Sequence, residues 1–144
     1  MNKRSLILCA VVAFGLLTAG AVEAETVVIM AASSAVTQVS RDDVINIFTG
    51  RYRRLPNGAA VVPIEPGIDT PVRRAFYKGL LGKSVSEMRA YWARLVFSGR
   101  TVPPDELPTD ADVVERVGKD PAAIGYVDRQ SLTSRVRVVY ALPE

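Results

Sequence analysis

The sequence predicts a single layered α/β domain, and three observations carry that prediction. Two apolar runs, Thr26–Ala31 (TVVIMA) and Arg135–Leu142 (RVRVVYAL), read as strands, the first continuous enough to be buried on both faces. Several stretches between them place apolar residues at helical spacing, and those beginning at Ser40, Thr70 and Ser84 open on a hydroxyl suited to capping a helix. A short β-branched run at Val61, Val62 and Ile64 separates the first of these helices from the second. The resulting order, β-α-β-α-α-α-(β)-β, is that of a sheet covered by helices.

Taken in order, residues 1–24 read as a secretory signal peptide. Lys3 and Arg4 are followed by an apolar run from Leu6 to Leu17 and by small residues ending at Ala24, after which cleavage is expected. The run is too short to span a bilayer, which takes about 20 apolar residues. Leu8 stands before Cys9 where a lipoprotein signal needs a small residue, so no lipid anchor is expected. The expected mature domain is residues 25–144, exported to the periplasm.

After the first strand, Ala32-Ser33-Ser34 reads as a loop. Ser40-x-x-Asp43 is a capping box for a helix whose stripe is Val44, Ile45 and Phe48, with Gly50 at its stop. Arg51, Arg53 and Arg54 cluster next, either as a solvated surface or as a collector of anions or acidic partners. A Pro56-Asn57-Gly58 turn leads to the second strand. The Thr70 helix carries Val72, Ala75, Phe76 and Leu80 and ends at Gly82. Ser84-x-x-Glu87 caps the next helix, where the spacing of Val85, Met88, Trp92, Leu95 and Val96 favours core packing over a Tyr91–Trp92 ligand platform. Ser98 to Pro104 reads as an irregular connection. A helix from about Asp110 to Gly118 and a strand entered through Ala122-Ala123-Ile124-Gly125-Tyr126-Val127 precede the last strand.

Composition excludes several function classes. The chain has no histidine, and its single cysteine, Cys9, leaves with the signal peptide. A Ser-His-Asp triad, a thiol nucleophile, a disulfide and a His/Cys metal site are therefore not expected, nor is a cofactor. The carboxylates show no suggestive pairing, so an enzyme is not expected. Loss of Lys3, Arg4 and Glu23 takes the formal charge from +3 to +2. With basic residues interleaved among acidic ones and few aromatics, nucleic acid is not an expected partner.

The stretch Val61–Phe76 (VVPIEPGIDTPVRRAF) organises the functional reading. A strand ends at Pro66-Gly67, and Thr70-Pro71 starts a helix with a hydroxyl cap and a proline at the first helical position. Such a start directs free N–H groups and the positive end of the helix dipole outward, which suits an oxyanion; it is also how many α/β proteins begin a helix. Arg73 and Arg74 lie in that first turn against the dipole and read as exposed. The candidate ligand-binding residues are Gly67, Asp69, Thr70, Arg73 and Arg74, with Ser33 and Ser34 from the first loop.

Several segments, namely Ser40–Gly50 (SRDDVINIFTG), Ala75-Phe76, Tyr91-Trp92 and Ala123-Ile124-Gly125-Tyr126-Val127, resemble the phosphate-type periplasmic solute-binding proteins of the class II periplasmic-binding-protein superfamily. The likeness runs from about Val27 to Tyr140 and corresponds to the second of that family's two lobes. It implies a three-layer αβα domain serving a phosphate ABC transporter, with phosphate or a similar oxyanion as ligand. Against the family's Arg-x-Asp-Gly-Ser-Gly-Thr loop, Ile64–Thr70 keeps Gly67 and Thr70 and lacks the arginine, aspartate and serine. Leu55 stands where the family usually has an aromatic. A lone lobe further implies self-association to rebuild a cleft, or a periplasmic transporter or sensor partner. The alternative is an interaction module that has lost solute binding.

Overall fold

The computed structural model describes residues 24–143. The signal-peptide reading therefore lies outside the described residues, apart from Ala24 just before the first strand. The elements are β1 (Thr26–Ala31), α1 (Arg41–Phe48), β2 (Val62–Pro66), α2 (Pro71–Leu81), α3 (Val85–Phe97), β3 (Asp105–Leu107), α4 (Asp110–Lys119), β4 (Ala123–Asp128) and β5 (Val136–Ala141). A single 3-10 turn, Arg129–Ser131, follows β4. No helix among the described residues is long and apolar enough to cross a membrane.

The helix starts follow the capping chemistry written in the chain. Ser40, Ser84 and Thr109 each accept the backbone N–H three residues on, and Asp43, Glu87 and Asp112 reach back to the cap residue's own N–H. Thr70 caps α2 by accepting the Arg73 N–H, without a carboxylate reaching back, and Pro71 lies in the first turn. The glycine stops hold as well: Gly50 (φ 76) follows the C-cap Thr49, and Gly82 (φ 62) ends α2.

The strands form one mixed sheet in the order β3-β2-β4-β1-β5. β2 is parallel to β3 and β4, whereas β1 is antiparallel to both β4 and β5, so β1 alone runs against the other four. Every residue of β1 is buried, which accounts for its unbroken apolar run. Val28 and Met30 face α1–α3, while Val27 and Ile29 face α4. The helix-rich side centres on an aromatic group: Phe76 stacks on Tyr126 at 3.7 Å between ring centroids, and Phe48 meets both edge-on. Trp92 and Leu55 belong to this core, whereas Val96, expected on the same buried stripe as Trp92, is exposed near the end of α3. The arrangement is the expected three-layer αβα.

One element differs from the sequence reading. The sheet has a fifth strand, β3, directly after the connection at 98–104. Its residues Asp105-Glu106-Leu107 are too few and too polar to carry a strand signal. They pair only because β2 offers an open parallel edge. A short, charged edge strand also blunts that edge against further pairing.

Candidate functional site

β2, β3 and β4 all end on one edge of the sheet, at Pro66, Leu107 and Asp128. In open α/β sheets the carboxyl ends of parallel strands are where ligands collect. The loop from Pro66 to Thr70 is built tightly there. A side chain on Gly67 would place its Cβ 2.9 Å from the Pro108 carbonyl oxygen, so glycine is required for β2 to approach the β3–α4 connection. The Thr70 hydroxyl donates to the Gly67 carbonyl (2.8 Å) and accepts the Arg73 N–H (3.3 Å). Pro71 has no N–H, which leaves the Val72 N–H as the first-turn donor not taken by the cap. Asp69 and Arg74 are exposed, and the Arg74 guanidinium folds back onto the Asp69 carbonyl (2.7 Å).

Arg73 is not exposed, contrary to the sequence reading. It is 7% accessible and sits at the centre of a buried polar group. Its Nη2 donates to Glu65 Oε1 (2.7 Å), its Nη1 to Glu106 Oε2 (2.6 Å) and to the Pro66 carbonyl (3.1 Å), and its Nε to the Tyr77 hydroxyl (3.3 Å). Tyr77 and Tyr126 both donate to Glu65 Oε2, at 2.7 and 3.0 Å. Burial pushes the Glu65 carboxyl above its ordinary range, with Arg73 and the two tyrosine O–H groups opposing. Burial beside that carboxylate also raises both tyrosine hydroxyls. The Arg73 fork is thus spent internally. A hollow of about 270 Å³ beside it is lined by Arg73 and Arg89 but equally by Glu65 and Glu106, so its walls have no cationic excess to offer a dianion.

The remaining two candidates lie elsewhere. Thr26 pairs with Asp128 and Met30 with Ile124, so β1 ends on the opposite edge of the sheet from Pro66. Ser33 and Ser34 follow that end, about 17 Å away along the strand at ~3.3 Å per residue. Ser34 is buried, and its hydroxyl accepts the Val36 N–H at 3.1 Å. Ser33 is exposed. The reversed direction of β1 separates these serines from the Thr70 loop, so the seven candidate residues fall into two groups. Only Gly67, Asp69, Thr70, Arg73 and Arg74 share an edge.

Sequence reasoning missed the partners of Arg73. Glu65 in a buried strand was the available signal, because an interior carboxylate demands a cation or several donors. Tyr77, four residues after Arg73 on α2, was the next clue. Glu106 could not be found, since it depends on β3. At the same edge Asp110 accepts the Asp128 N–H (2.8 Å), and burial raises its carboxyl. The acidic Asp110 thus occupies the positive end of α4 itself.

The architecture defined here, one mixed five-stranded sheet with helices on both faces, matches one lobe of solved phosphate-binding proteins. Among these structures is an ABC-type phosphate transport receptor from Vibrio cholerae (TM-score 0.63, 12% identity), aligned over 81% of this chain and 45% of its own. A Clostridium perfringens protein assigned as a phosphate ABC transporter substrate-binding protein, solved with bound phosphate, aligns at TM-score 0.64 and 17% identity over 81% and 44%. PstS from Borrelia burgdorferi aligns at 0.60 and 13% over 81% and 46%. This chain therefore spans less than half the length of those proteins. The first two are named for transport. No protein-family model matches the sequence, and no curated protein matches it.

Proposed function

We propose that the chain is an exported solute-binding-like lobe of the phosphate-transport type, with residues 25–144 as its periplasmic domain, and that it binds or presents phosphate or a similar oxyanion. The observation that carries this reading is the Thr70-capped start of α2 at the carboxyl end of β2. The site would use the Val72 N–H, the helix dipole and the exposed Arg74 side chain, which would exchange its bond to the Asp69 carbonyl for the anion. Gly67 lets the loop pack closely enough to hold that shape. Arg73 serves the site indirectly, as the buried post that anchors α2 to β2 and β3. Ser33 and Ser34 have no part in a site at this edge.

An open half-site with one free arginine and carboxylates nearby holds a dianion weakly, because water screens each contact. Millimolar affinity, rather than micromolar, is expected from isothermal titration with phosphate and then sulfate at low ionic strength. Thr70→Val should cost about 1 kcal/mol of stability through loss of the cap, whereas Arg74→Glu, which reverses the one exposed positive charge of the site, should abolish the heat of binding. Binding that survives Arg74→Glu would remove α2 from the site.

A second reading, an interaction module that has lost solute binding, is favoured by one specific observation. Arg73, one of the two arginines that touch the loop, is committed to Glu65 and Glu106. Absence of any binding heat at tens of millimolar phosphate would select it.

A further inference from the structure

The distribution of charge points to a second surface, at the amino ends of β2 and β3. No aspartate or glutamate occurs between Val44 and Ile64 or between Met88 and Pro104. These two segments hold six of the chain's arginines and none of its lysines. Folding joins them. The Tyr91 hydroxyl donates to the Thr49 carbonyl at 2.7 Å, and Arg53 Nη2 donates to the Thr101 hydroxyl at 3.2 Å and to the Val102 carbonyl. Gly50 lies so close to Trp92 and Thr101 that a Cβ there would stand 2.8 and 2.9 Å from their side chains. The tip made by residues 49–54 and 94–102 is therefore a fixed surface. The first segment leads into the amino end of β2 and the second into the amino end of β3, opposite the edge that carries Thr70.

The tip combines arginine with exposed apolar side chains. Phe97 is 96% accessible, Val102 65%, Val96 50% and Tyr52 47%, and these are all of the exposed large hydrophobic residues among the described ones. Arg51, Arg54, Arg94 and Arg100 are exposed beside them, and none forms an ion pair among the described residues. Arg94 and Arg100 at the end of α3 have a local use in offsetting the helix dipole. That use explains neither Arg51 and Arg54 nor a phenylalanine left almost wholly in water. Single exposed hydrophobes are ordinary, but gathering every one of them on one cationic tip is the pattern of a contact site.

We infer that this tip docks an acidic segment of a partner protein, with carboxylates meeting the arginines and an apolar side chain meeting Phe97. Arginine presents a planar fork that matches a carboxylate, and arginine with aromatic residues is enriched in protein interfaces whereas lysine is depleted. A polybasic membrane contact has no such preference for arginine over lysine. A second copy of the chain is a poor occupant, since a two-fold contact would set like charges against each other. The inference does not rest on the oxyanion reading.

Selection of random 12-residue peptides on the purified protein tests it without choosing a ligand in advance. The expected outcome is enrichment of peptides with net negative charge and at least one aromatic or leucine residue. Their binding should weaken at least tenfold in Phe97→Ser and in Arg51→Glu/Arg54→Glu, and should fall as salt is raised. All of these positions are at the surface, and circular dichroism checks that the fold is kept. Neutral or basic winners, no enrichment, or equal binding by the variants would overturn the inference. So would Phe97-dependent binding of phosphatidylglycerol vesicles without peptide binding, or concentration-dependent dimerisation through the tip. Phosphate titration of Phe97→Ser should match the parent, which keeps failure here distinct from failure of the oxyanion site.

Discussion

Arg73→Met lowers stability by about 3–5 kcal/mol at pH 8, the usual cost of leaving one member of a buried ion pair without its partner. Glu65 is 2% accessible, and in the variant it retains only the Tyr77 and Tyr126 hydroxyls as donors. Its carboxyl is already raised by burial, and the guanidinium that opposes this rise is gone. The sign of the pH dependence follows. A carboxyl whose folded pKa lies above its unfolded value near 4.5 contributes stability that is present below that value and is lost as pH rises through the folded pKa. The gap between parent and variant should therefore be smaller at pH 5 than at pH 8. Glu65→Gln/Arg73→Met should recover much of the loss, since Gln still accepts from both tyrosines, and should remove the pH dependence. Urea denaturation at the two pH values measures all three. A loss below 1 kcal/mol at pH 8 would mean that the network holds nothing in place.

Gly125→Ala is the second large effect. A Cβ there would sit 2.8 Å from Val113 Cγ1, 3.1 Å from Val117 Cγ2 and 3.3 Å from the Ile64 carbonyl oxygen. Gly125 is not in the left-handed region, so the requirement is close approach and not backbone freedom. α4 packs directly on β4 at this point, and one methyl group must push it away. Such overpacking costs about 1–3 kcal/mol, read as a lower urea midpoint with an unchanged slope. The glycine of the Ala-Ile-Gly-Tyr-Val segment thus has a plain steric reason, and so does its tyrosine, which stacks on Phe76 and donates to Glu65.

Much of the fold was legible because local chemistry and tertiary packing agree. The doubly buried β1, the Ser40 and Ser84 capping boxes, the Thr70-Pro71 start and the Gly82 stop all appear where the sequence sets them. β3 was not legible, because Asp105-Glu106-Leu107 becomes a strand only beside β2. The candidate site was legible in part. Thr70 and Gly67 could be read because a cap and a close approach leave local signatures. The burial of Arg73 could not be read, as it depends on Glu65, on Glu106 and on tyrosines from two elements. Nor could the separation of Ser33 and Ser34 from Thr70, since nothing local in TVVIMA says that β1 runs against its neighbours. The arginine-rich tip was visible only as the Arg51–Arg54 cluster until folding brought residues 94–102 beside it.

The most direct test of the oxyanion site is the change in backbone amide NMR shifts as phosphate is added to the ¹⁵N-labelled protein at low ionic strength. The proposed site predicts saturable shifts centred on residues 67–74, led by Val72, with a millimolar midpoint. Shifts confined to residues 51–54 and 94–102, or none at all at tens of millimolar phosphate, would contradict it.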